Sequence, residues 1–188
     1  MLTENRGRPT PPPVFNHQPA MRKLYRFLLS IKLWQFVLLA FIAAYVPTFL
    51  WGLLPFADYT HPLDSASFIM RLLSHIIAAP LYETLMVQTM IIGVGSIILK
   101  HWQLGNFRFK HYSWPLIILS AVVFGIAHNY HWTYQVGAGI LGLVLGFAYY
   151  VARKRRQNAY ITVVIIHAVF NVPAVLERAV ADRITSFF

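Results

Sequence analysis

The stretch Ala78-Ala79-Pro80-Leu81-Tyr82-Glu83-Thr84-Leu85-Met86-Val87-Gln88-Thr89-Met90 sets one carboxylate in the middle of an apolar run. Glu83 is the only acidic residue within a strongly hydrophobic segment of this chain. Glu4, Asp58, Asp64, Glu177 and Asp182 lie in the tail, in polar connections or near the C-terminus. An acid at membrane depth costs about 3 kcal/mol on insertion scales, so it faces a polar interior and meets a partner there. What Glu83 meets therefore decides what the chain can do.

Composition sets the class. Hydrophobic residues make up 57% of the 188 and charged residues 12%, with a mean hydropathy of +0.55, whereas soluble domains carry about 25% charged residues. This is an integral membrane protein. Its apolar runs have the length of membrane helices, so the expected fold is all-α, a polytopic helical bundle of about five to six membrane segments. The net charge is +10, but the Lys and Arg residues flank apolar runs and form no stripe with interleaved aromatics. They are topology signals, not a nucleic-acid surface. The absence of cysteine excludes disulfides, thiolate nucleophiles and Cys-ligated metal centres.

Residues 1–20, with Arg6, Arg8 and the run Pro9 to Pro13, are expected to be a disordered tail before a single transmembrane domain over 21–188. In Met21 to Lys32, basic residues interleave with Leu24, Tyr25, Phe27 and Leu28, as in a helix lying at a headgroup surface. Leu33 to Leu54 is the first span, kinked at Pro47. Phe68 to Leu99 is longer than one crossing needs. Two readings fit, a tilted helix or an interfacial segment around Arg71 and His75 that bends near Pro80 into the span holding Glu83, and the second is favoured. Ser113 to His128 is a shorter span. Tyr134 to Ala152 is the next, where Gly137, Gly139, Gly142 and Gly146 admit a close neighbour, and Ala159 to about Leu176 is the last. Glu177 to Phe188 is expected on the surface.

Basic residues alternate between connections. The N-terminal segment has six, the 100–112 loop three and the 153–156 loop four, while the 55–67 and 129–133 loops have none. That alternation implies five crossings, with the N-terminus cytoplasmic and the C-terminus outside.

Inside the spans the polar residues form three groups. Glu83 has Thr84 and Gln88 beside it, the third span closes on Phe124-Gly125-Ile126-Ala127-His128, and the fifth holds His167-Ala168-Val169-Phe170-Asn171. His167 and Asn171 project from one helical face. Taken singly, His128 fits an interfacial residue, His167 with Asn171 fits interhelical glue, and Thr84 and Gln88 fit groups satisfying nearby backbone. His75, His101, His111 and His131 are assigned to interfaces or loops.

In this order the motifs resemble the CPBP (CAAX-prenyl-protease and bacteriocin-processing, or Abi) intramembrane proteases, over about residues 76–175. The family's first motif commonly runs Glu-Glu-x-x-x-Arg. Here Thr84 stands for the second Glu and Gln88 for the Arg, so a charge pair becomes an uncharged hydrogen-bonding pair. The resemblance associates this variant with bacterial members, and hence with a bacterial cell membrane.

The resemblance implies an intramembrane endopeptidase with Glu83, His128, His167 and Asn171 as catalytic residues and Thr84, Gln88 and Phe124 in support. Glu83 and His128 would activate a water, and His167 and Asn171 would face the oxyanion. No metal is required by this scheme. Zinc held by Glu83, His128 and His167 is the alternative cofactor reading. The expected partners are a peptide or protein substrate at the membrane and the lipid bilayer, with no nucleic acid. Two non-proteolytic readings remain open: a non-catalytic immunity or scaffold protein binding through the same cluster, and a proton-linked transporter.

Overall fold

The computed structural model describes residues 19–54, 66–101 and 113–185. Among these residues there are six helices and no strand. The expected tail, the polar 55–65 connection and most of the basic 100–112 connection lie outside the described residues.

Helix α1 (Pro19–Ser30) is short and amphipathic. Leu28 is buried, while Leu24 and Phe27 are exposed beside Lys23 and Arg26, as suits a helix at a membrane surface. Arg155 fastens its C-terminal end by donating from Nη1 to Leu28 O and from Nη2 to Ile31 O, at 2.8 and 2.6 Å. Those carbonyls belong to the helix end, where intrahelical amides run out. Helix α2 (Leu33–Gly52) runs through Pro47 without interruption. Phe36, Ala40 and Ala44, at the spacing of one face, are buried, while Leu38, Ile42 and Val46 face outward.

Helix α3 is continuous over 68–101. It alternates α-helical stretches with two wider stretches in π register, Leu73–Ala78 and Thr84–Val94. The helix passes through Pro80 without a break, so the expected interfacial segment is not a separate element. Arg71 is buried and paired with Asp182 in the last helix, so it does not seek headgroups. The wide turns ahead of Pro80 make room for a ring that would press on the carbonyl four residues back in an α-helix.

Helix α4 (Ser113–Ala127), α5 (Trp132–Lys154) and α6 (Ala159–Thr185) complete the bundle. The last helix runs on past Pro173 to Thr185, so the segment from Glu177, expected on the surface, continues this helix with its side chains mostly exposed and Asp182 paired with Arg71. Among the described residues four helices are long and apolar enough to cross a membrane, and α4 is a shorter apolar helix. The molecule is turned inside out relative to a soluble bundle. Leucine, isoleucine and valine side chains cover its outside, while Arg71, Thr84, Gln88, Ser120 and His167 are buried.

Of the glycines predicted to admit a close neighbour, Gly142 and Gly146 do so tightly against α4, while Gly137 faces Trp51 of α2 at ordinary contact distance. A Cβ at Gly142 would stand 2.8 Å from Phe124 Cβ, and one at Gly146 would stand 2.9 Å from Ser120 Oγ. A Cβ on α4 itself, at Gly125, would meet Gln135 O at 2.7 Å. Helices α3 and α6 are joined by polar contacts: Leu81 O accepts from Tyr160 Oη at 3.1 Å, Glu83 faces His167, His75 O accepts from Asn171 Nδ2, and Arg71 pairs with Asp182.

Candidate active site

Helix α4 has 15 residues, about 22 Å of rise, less than the ~30 Å of hydrocarbon a membrane presents. His128 is the first residue past its C-terminal end. In the last turn of a helix the carbonyls lack amide partners. His128 Nδ1 lies 2.7 Å from one of them, Phe124 O. A carbonyl only accepts, so Nδ1 carries a proton and the neutral ring offers Nε2 as an acceptor. The Phe-x-x-x-His spacing is the spacing of that bond.

His128 Nε2 faces Glu83 Oε2 at 3.5 Å, and His167 Nε2 faces the same oxygen at 3.7 Å. Three helices thus converge on one carboxylate. Phe124, fully buried, sits against both imidazoles, with ring centroids 4.5 Å from His128 and 5.6 Å from His167. Tyr134 flanks His128 from α5 at 5.6 Å. The Glu83 side chain keeps 26% of its surface exposed, against 3% for His167. That surface opens into a cavity of about 310 Å³ lined also by His128, His167, Phe124 and Asn171.

Asn171 lines the cavity, but its Nδ2 donates to His75 O at 2.8 Å. Thr84 and Gln88 lie beside the site, fully buried. Thr84 Oγ1 and both amide atoms of Gln88 make no hydrogen bond among the described residues. The expected mutual bond between them is therefore not made. They stand in the wide-turn stretch that begins at Thr84, where residues four apart no longer stack as on an α-helix.

His75, assigned from the sequence to an interface, instead lines this cavity. In an ideal α-helix it would project about 80° away from Glu83, so no helical periodicity could have found it. Trp51 closes the cavity from α2 and donates Nε1–H to Thr133 O at 2.8 Å. Its position at the end of the first span was the only hint. His131 is the N-cap of α5, as a loop assignment expects.

The nitrogen and oxygen donors are of types that zinc accepts, yet among the described residues no three His, Cys, Asp or Glu side chains form a metal-holding group. A zinc-ligating histidine also anchors its second nitrogen by a hydrogen bond. His128 does so, whereas His167 Nδ1 has no such bond among the described residues.

The model of the family described as Rce1-like, type II CAAX prenyl endopeptidases, matches residues 65–173. That span contains Glu83, Phe124, His128, His167 and Asn171 and covers more than half of the chain. No curated protein and no solved structure matches it. With the all-α membrane bundle, this match establishes that the chain belongs to the Rce1-like, type II CAAX prenyl endopeptidase family of CPBP-type proteases.

Proposed function

We propose that the protein is a glutamate-type intramembrane endopeptidase in which Glu83 is the general base. Separations of 3.5 and 3.7 Å exceed a direct hydrogen bond and suit a water shared among the three side chains. His128, its Nδ1–H spent on Phe124 O, accepts one proton of that water at Nε2 in a hydrogen bond. Glu83 removes the other as the oxygen adds to the scissile carbonyl. His167, with Nε2 protonated, donates to the developing oxyanion. The proton held by Glu83 then passes to the amine as the C–N bond breaks. The observation that carries this reading is the convergence of two imidazole nitrogens, from two other helices, on one carboxylate oxygen.

The cavity lies toward the end of the bundle where α2 and α4 finish and α5 begins, among Trp51, His128 and Thr133. The basic residues Lys23, Arg26 and Arg153 to Arg156 belong to the opposite end. Under the positive-inside rule the site opens to the outer face. The substrate is then a peptide segment of a membrane or lipid-anchored protein met at the outer leaflet of a bacterial cell membrane, not a prenylated cytosolic tail. Comparative peptidomics of cells carrying the wild type or His167→Ala tests both points. Peptides released only by the wild type, cut near an outer membrane boundary, support the reading. Identical peptide sets contradict it.

A further inference from the structure

Three turns of α-helix take about 11 residues, one fewer than separate Arg71 from Glu83. In an unbroken α-helix their side chains would therefore point about 120° apart. Both nevertheless face α6, Arg71 toward Asp182 and Glu83 toward His167. The wide-turn stretch Leu73–Ala78 lies between them and absorbs the extra residue, as π-turns do within α-helices.

In this turn one carbonyl loses its α-register amide. Ala79 N–H bonds to Ser74 O, five residues back, and so does not serve His75 O, its partner in α register. The next amide in the wide register would reach His75 O, but it belongs to Pro80, which has no N–H. A half-buried carbonyl without that amide takes another donor. Asn171 Nδ2 meets it from α6 at 2.8 Å.

We infer that Asn171 is a positioning residue. Its amide stands in for the helix bond that Pro80 removes, holds α3 in the wide turn, and so keeps Glu83 rotated toward His128 and His167. Without it the turn relaxes to α register, Ala79 N–H returns to His75 O, and Glu83 swings by about 100° relative to Arg71. The consequence for turnover rests on Glu83 being the base. The consequence for helix register does not.

Pro80→Ala tests this, because it restores an amide at the position that should serve His75 O. The full chain in detergent is compared as wild type, Asn171→Leu, Pro80→Ala and the double variant, reading thermal midpoint and turnover. Asn171→Leu is expected to lower kcat by roughly 10- to 100-fold, with a lower midpoint. In the Pro80→Ala background the same substitution should cost much less in both. Spin labels at positions 82 and 126, outward-facing sites in a chain without cysteine, should report a changed distance in Asn171→Leu that reverts in the double variant. If Asn171→Leu fails to fold, Asn171→Asp, which loses the N–H donor at nearly the same shape, serves in the cycle. Equal losses in both backgrounds, as expected of an Asn171 that donates to the reacting carbonyl, would overturn the inference. Coupled midpoints and distances in a protein that cleaves nothing would uphold the clamp and contradict the protease reading. Uncoupled midpoints in an active enzyme would do the reverse.

Discussion

His128 Nε2 stands 3.5 Å from Glu83 Oε2 because the other nitrogen of the ring is tied to Phe124 O, one turn back in α4. The end of a short helix thus holds the proton on Nδ1, and in the neutral ring an acceptor then faces the carboxylate. Phe124 also supplies the ring against which both imidazoles rest.

Phe124→Leu separates these contributions. The backbone carbonyl remains, so Nδ1 keeps its partner, and the smaller side chain leaves a cavity that costs roughly 1–3 kcal/mol. The imidazoles lose their support. Turnover should fall by roughly 10-fold or more, a larger effect than the shift in thermal midpoint accounts for. A parallel fall in folded fraction and turnover would mean that Phe124 only fills space.

The seam between α4 and α5 has no room for a methyl group. Gly142→Ala would press on Phe124 Cβ at 2.8 Å, and Gly125→Ala would press on a backbone oxygen at 2.7 Å. Each should destabilise by roughly 1–3 kcal/mol, Gly125→Ala more because backbone cannot swing aside. Gly52→Ala, with nothing within 4 Å, is the control and should leave the unfolding midpoint nearly unchanged.

Arg155 is the peg that holds α1 to the bundle. Arg155→Ala removes both donors to Leu28 O and Ile31 O and the cation over the Phe36 ring. Hydrogen bonds from charged groups contribute about 1.5–3 kcal/mol each when buried, and less here, where the site is only half-buried. Amide exchange in α1 should accelerate by roughly 10-fold, with exchange in α5 unchanged. Uniform exchange across both helices in the variant would show that α1 is held by something else.

The glutamate and zinc readings part on chelation. With Glu83 as base and no metal, activity should survive prolonged dialysis against a chelator within about a factor of two. Loss of activity restored by stoichiometric zinc would assign Glu83, His128 and His167 to a metal centre instead.

Much of this was legible in the chain itself. Apolar runs of spanning length marked the membrane helices, and a lone acid in such a run marked Glu83. The His167–Asn171 spacing is one turn of α-helix and lies within α6, while the Phe124–His128 spacing runs from the last turn of α4 to the residue just past it. Helix α3 was not legible, because periodicity arguments assume a constant 3.6 residues per turn and this helix changes register twice. That is why His75 went to an interface, and why Arg71, whose partner Asp182 lies at the far end of the chain, was assigned to headgroups.

The most direct measurement is peptide-bond cleavage by purified Glu83→Gln against the wild type, on a substrate identified by peptidomics, with thermal midpoints recorded for both. Gln preserves shape and hydrogen bonding but cannot take a proton from water. Turnover should fall by roughly 10²- to 10⁴-fold while the midpoint stays within a few degrees. Cleavage at the wild-type rate by a folded Glu83→Gln would contradict the account.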